Sequence, residues 1–407
     1  MSDRCYVGTR KGLFVLERVR TRAKPAAKSA AGAGGKGRAR AGAKGSGNAA
    51  GAARWRLART AFLGDPVSIV LPDERDGTLY AALNLGHFGV KLHRSADDGA
   101  TWQEVAAPAY AADAGQAMGR KITPEGGIEP VPAAPSVSLI WALERGGAAQ
   151  PGVLWAGTIP GGLFRSADRG ESWSLNAPLW NLPERTEWMG GGYDYPGIHS
   201  VLVDPRDAQR LTVAVSTGGV WTSADGGASW AVRSKGLRNE YMPPGQEYHP
   251  ILQDVHCLVA CPARPEAMWI QHHNGVFHST DAGGNWEEIT SIKPSKFGFA
   301  VAVHPRAPDT AWFVPAIKDE RRIPVDGKLV VARTSDGGRS FETLSKGLPA
   351  PPAYDLIYRH GLAVDATGER LAMGSTTGAL WNSEDSGDSW QLFSAHLPPV
   401  YCVRFGA

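Results

Sequence analysis

The chain has 407 residues, 43% of them hydrophobic, and a formal net charge of +3. That is enough apolar material for one large core, and no run approaches the 18 or more apolar residues of a membrane-spanning helix. Four cysteines are too few for a disulfide scaffold: Cys257 and Cys261 would stand about 13 Å apart along one strand, and Cys5 and Cys402 read as buried thiols.

Met1-Ser-Asp-Arg leads straight into Cys5-Tyr-Val-Gly-Thr-Arg-Lys-Gly-Leu-Phe14, a strand–turn–strand pattern with no apolar leader before it, so a cytoplasmic location is expected. Residues 18–56 then carry eleven of the 43 Lys and Arg and no acidic residue, leaving 32 basic against 40 acidic residues elsewhere, so the body is near −8. Within this stretch, residues 21–53 form a basic Ala/Gly-rich insertion without apolar periodicity, expected to be a solvated, disordered loop. It has no interleaved aromatics, which argues against nucleic acid as a partner.

Further along, one frame recurs six times: Ser95-Ala-Asp97-Asp-Gly99-Ala-Thr-Trp102, then Ser/Thr-x-Asp-x-Gly-x-x-Trp/Phe from Ser166, Ser223, Ser279, Thr334 and Ser383. The start-to-start spacings are 71, 57, 56, 55 and 49 residues, one four-stranded propeller blade per repeat with variable loops. In each frame the Asp can accept from backbone donors of a tight turn, the Gly supplies a positive φ, and the ring can bury between blades. Six units begin near Val67, Ser136, His199, Val255, Phe299 and His360. Residues 4–16, Arg54–Thr60 and Val400–Phe405 make a seventh. The expected fold is therefore all-β: residues 1–407 form a single seven-bladed propeller, closed by pairing the N- and C-terminal strands in one blade. The insertion then interrupts the first blade.

With strands running from the channel outward, the long segments Ala107–Pro135, Asn176–Gly197, Leu237–Gln253 and Ala316–Gly327 gather on one face, the usual place for a binding site on a rigid scaffold. Five residues before the inner-strand corners at Asp204, Cys261 and Asp365 stand His199, His256 and His360, with Phe299 at the same position in another blade. Asp254 shares a strand side with His256. His272, His273 and Asn274 occupy a turn on the same face, together with Asp194, Tyr195, Glu247, Arg321, Arg322, Tyr354 and Arg359. His256, Asp254, His199 and His360 are the candidate catalytic residues, and the others candidate ligand contacts. His199, His256 and His360 could alternatively hold a divalent transition metal, which neutral imidazole suits.

The six frames are Asp-boxes, and the chain resembles the bacterial neuraminidase-repeat proteins, the sialidase-like superfamily. Asp-boxes also occur in other glycoside hydrolases, sortilin-type receptors and a plant photosystem assembly factor. A sialidase implies an Arg-Ile-Pro motif upstream of the first box. Here Arg322-Ile-Pro324 falls between the fourth and fifth boxes, so the sialidase residues are not carried over. Gln271-His-His-Asn-Gly-Val-Phe-His-Ser-Thr-Asp281 and Phe297–Pro305 resemble bacterial relatives labelled glycosyl hydrolases. The resemblance implies a glycosyl-hydrolase-like activity, other than a true sialidase, on a small polar or anionic, carbohydrate-like ligand at the channel mouth. The alternatives are a non-catalytic propeller that binds a metabolite or a protein partner, and a histidine-site metalloprotein.

Overall fold

The computed structural model describes residues 3–20, 53–112, 114–115, 117–122, 128–133 and 136–406. Seven four-stranded antiparallel sheets form the ring. Blade 1 is ordered Ala53–Ala61, Gly12–Arg20, Arg4–Thr9, Val400–Phe405, so the C-terminal strand lies innermost and pairs with the first strand of the chain. The inner strands of blades 2 to 7 are Val67–Asp73, Leu139–Arg145, Ile198–Asp204, Val255–Cys261, Gly298–Val303 and Leu362–Val364. The ring closes as the repeat spacing requires. Most of the basic insertion, residues 21–52, lies outside the described residues, but its flanks are the paired outer strands of blade 1. Part of the long segment after Ala107 forms a hairpin, Ala117–Ile122 with Ile128–Ala133, and Glu125 between them lies outside the described residues.

The six Ser/Thr-x-Asp-x-Gly turns share one geometry. The hydroxyl accepts from the Gly amide at 2.8–3.0 Å. The Asp accepts at 2.8–3.0 Å from the amide four residues on. Two consecutive left-handed residues make each turn, as at Asp98 (φ 57°) and Gly99 (φ 80°), so the strain falls on the residue before the glycine as well. Several closing rings tie neighbouring blades: the Trp173 indole donates to the Ala106 carbonyl of blade 2, and that of Trp286 to Arg233 of blade 4.

Large apolar side chains, among them Trp269, Trp312, Tyr80, Phe164, Phe277 and Phe313, are fully buried, and one cluster runs continuously across blades 1, 2 and 3. Truncating a core ring of this kind to Ala removes about 3–5 kcal/mol. Glycines on the second strands let adjacent blades approach: a Cβ on Gly157 would lie 2.5 Å from the Ile198 carbonyl, and one on Gly374 2.4 Å from Val400. All four cysteines are buried and unpaired. No described helix is long and apolar enough to cross a membrane.

A cavity floored by the chain itself

The inner strands each aim one side chain into the channel. Their pairing with the second strand skips a residue at Ser68, Trp141, His199, His256 and Tyr401, and a wider skip in blade 6 includes Phe299. Such bulges turn a side chain out of the ladder. His360, just ahead of the inner strand of blade 7, completes the ring. Its Nε2 donates to the His199 carbonyl at 2.9 Å, linking blades 7 and 4 across the channel. The Cys257 thiol reaches the Arg359 carbonyl at 3.6 Å, so the segment entering blade 7 floors the space. Above it opens a cavity of 1490 Å³ on the long-loop face. Its lining includes His360 and all of the bulge residues except His199, together with Tyr193, Tyr241, Asp254, His273, Arg322, Tyr358 and Arg359.

At its polar centre, Asp254 is 4% exposed. The Tyr241 hydroxyl donates to its Oδ2 at 2.9 Å, and His273 Nδ1 lies 3.2 Å from the same oxygen. Its Oδ1 is buried with no hydrogen-bond partner. His256 Nδ1 donates to the Gly298 carbonyl at 2.6 Å, and this fixes the tautomer: Nε2 presents a lone pair, 3.8 Å from Asp254 Oδ1. Burial opposes the Asp254 charge, but the bond from His273 and the surrounding imidazoles outweigh it and hold its pKa below the usual carboxylate range. Burial depresses His256 to about 3, whereas for His273 the bond to Asp254 and its charge overcome burial and raise the pKa.

Two guanidiniums face this centre differently. Arg359 is 8% exposed, lies over the Trp141 ring at 4.6 Å and the Phe299 ring at 5.6 Å, and has its Nε buried without a partner. Among the described residues no carboxylate lies within ion-pair distance of it. Burial lowers its pKa, the mark of a charge held at an energetic cost. Arg322 sits at the rim, paired with Asp319 at 2.6 Å and lying 5.3 Å over Phe299.

The other expected site residues are dispersed. His199 spends both ring nitrogens on the protein: Nε2 donates to Val255 O at 2.7 Å, and Nδ1 accepts from the Ser200 hydroxyl at 2.9 Å. With His360 Nε2 committed to the His199 carbonyl as well, His199, His256 and His360 do not form a three-imidazole metal site. The group that gathers is Asp254, His256 and His273, whose ligand atoms lie within 4.8 Å of one another. His272 is fully buried against Phe277 and accepts from the Asn274 amide, while Asn274 accepts from the Glu240 amide, so both hold the turn. Arg321, Asp194, Tyr195, Glu247 and Tyr354 lie outside the lining. Arg321 and Tyr354 point to solvent, Tyr195 packs by Trp180, and Glu247 accepts from the Gly245 amide. Trp141 and Tyr241 escaped the sequence reading.

The buried imidazoles make acid stability a readout. His256 and His272 have pKa values of about 3 in the fold against 6.5 ordinarily, and burial also holds His199 well below 6.5. The unfolded chain takes up these protons as the pH falls through 6.5 and the folded chain does not. Stability contributed by the three groups is therefore complete above 6.5 and declines toward 3, by about 1.4 kcal/mol per pH unit for each. His273 acts oppositely, its contribution complete below 6.5 and fading as the pH rises through its raised pKa. His360, which burial also depresses to about 3, and His93, His278 and His304, lowered in the same way, act with these three against His273 alone, so the urea midpoint is lower at pH 5 than at pH 7.5; equal midpoints would contradict the neutral assignment.

The fold and cavity define the class: a seven-bladed propeller with a floored polar pocket on its long-loop face. No family model matches the chain. A probable oligoxyloglucan-reducing end-specific xyloglucanase of Neosartorya fischeri is 25% identical over 284 residues, which are 63% of this chain and 32% of that protein. Among solved structures, an ancestral GH74 enzyme matches with a TM-score of 0.54 at 16% identity, covering 80% of this chain and 38% of the other. The GH74 xyloglucanase of Xanthomonas campestris matches with a TM-score of 0.53 at 19% identity, covering 83% and 47%. The chain thus spans about a third of the sequence relative's length and less than half of either structure. The sequence match supports a glycosyl-hydrolase-like relation, and the structural ones speak for the fold alone.

Proposed function

We propose that the cavity binds an acidic carbohydrate and cleaves its glycosidic bond by hydrolysis. The observation that carries this reading is the Arg359 guanidinium, buried and unpaired beside Asp254. A buried charge without a partner is expensive, and a ligand carboxylate would supply the missing partner. Trp141, Phe299 and Tyr193 offer ring faces and edges on which a sugar can pack. Asp254 Oδ1 and His256 Nε2, two acceptors 3.8 Å apart on the cavity wall, are placed to take a proton from a water or hydroxyl. The sugar-directed sequence relative supports a carbohydrate, and the unpaired guanidinium supports an acidic one.

The test is a panel of oligosaccharides, half neutral, including xyloglucan fragments, and half uronate-containing, assayed for new reducing ends and for binding by calorimetry. Cleavage confined to acidic members is expected. Cleavage of neutral members alone would overturn the anionic assignment, and binding without cleavage would make the propeller a non-catalytic sugar-binding module.

A further inference from the structure

The two acceptors that face each other in the cavity wall present a problem that a proton solves poorly. With His256 Nδ1 donating to Gly298, its Nε2 lone pair points toward Asp254 Oδ1, which has no donor of its own although the residue is 4% exposed. At 3.8 Å the pair is too long for a hydrogen bond, whichever partner holds a proton. His273 brings Nδ1 to the other side of the same carboxylate at 3.2 Å.

We infer that Asp254, His256 and His273 form a binding site for a divalent transition-metal ion of the zinc class. Two imidazoles and one carboxylate converging on an open cavity are the donor set such ions take, with the remaining positions free for water or ligand. The supporting bonds are also in place: the Gly298 carbonyl orients His256, and the Tyr241 hydroxyl orients Asp254. Atoms bound to one zinc stand at most about 4.2 Å apart, since each bond is about 2.1 Å. The 3.8 Å and 3.2 Å separations of His256 and His273 from the carboxylate meet this limit, and the 4.8 Å spread of the set asks for a shift of some tenths of an ångström. His273, whose side chain is 20% exposed on a turn, is the residue free to make it. Only one of the three ligands is anionic, and Arg359 lies nearby, so the bound ion leaves a positive centre that draws hydroxide or a carboxylate into its open positions. This goes beyond the sugar-cleaving reading and does not depend on it; with an ion in place, a water on it would supply the proton that Asp254 Oδ1 and His256 Nε2 otherwise draw from an unbound one.

The experiment measures metal without substrate. Purified chain is stripped with a chelator, dialysed, and titrated with zinc by calorimetry and with cobalt(II) by visible absorption, with bound metal counted by elemental mass spectrometry. One equivalent per chain is expected, with cobalt bands of a nitrogen- and oxygen-ligated ion. Asp254→Asn and His273→Ala should each weaken binding at least about tenfold, and the exposed-surface control His396→Gln should bind as the unaltered chain does. Should Asp254→Asn fail to give a cooperative melt, His273→Ala, a half-buried position on a turn, carries the comparison. A folded chain that takes up no zinc at millimolar concentration overturns the site, and so does binding that neither variant weakens. Uptake of zinc with no sugar cleaved would leave the site standing and remove only the sugar reading.

Discussion

Asp254→Asn is expected to lower the turnover of an acidic oligosaccharide by about two to four orders of magnitude, the usual contribution of a positioned acid or base. The substitution keeps the shape and an oxygen that can accept from Tyr241, and removes the charge. The bond from His273 at 3.2 Å and the raised pKa of that imidazole both depend on the charge, so His273 should return toward its ordinary value in the variant. An NMR titration of His273 and a measurement of kcat read the two effects separately. A turnover loss below tenfold, with His273 shifted as expected, would show that the carboxylate is structural and that the proton is handled elsewhere.

Arg359→Met should separate binding from stability. The variant preserves a long apolar side chain between Trp141 and Phe299 and removes the unpaired charge. Truncating one partner of a buried charged contact costs about 2–5 kcal/mol of binding, or roughly 30- to several-thousand-fold in Kd for an acidic ligand. Replacing a buried ion by a well-packed apolar group is often neutral or stabilising by about 1–4 kcal/mol, so the free protein should melt at the same or a higher temperature. Calorimetry with a uronate-containing oligosaccharide and a thermal melt test both halves. A destabilised variant would mean that the guanidinium has a structural partner, and unaltered affinity would mean that the anion binds elsewhere.

Blade number and ring closure were legible because both rest on repetition: six turns in register, and end segments that only make sense as one split blade. Part of the site was legible for the same reason. Counting back from the inner-strand corners brings His199, His256, His360 and Phe299 to one position, and bulges stand there at His199, His256 and Phe299. The same count from Asp73 reaches Ser68, and from Gly146 it reaches Trp141, but a search keyed to histidine passed over both. The count could not give the fate of each ring. Whether an imidazole meets the cavity or a backbone carbonyl depends on which strand lies opposite, so His199 turned to Val255 and His256 kept a nitrogen free. Arg359 was legible as a cation near the channel. Its lack of an ion-pair contact was not, because that is a property of everything around it.

Pairing the innermost strand of blade 1 with the first strand of the chain also sets a timetable. As the polypeptide leaves the ribosome, Arg4–Thr9 emerges long before Val400–Phe405, the strand that covers its channel-side edge. Until that strand arrives the edge is an open template for another strand. The cavity is equally late: its floor needs residues 359–360, and its ring of inward-turned side chains is complete only at Tyr401. A nascent chain therefore carries finished blades before it has a finished pocket, and any ligand of the cavity must wait until Val400–Phe405 has emerged.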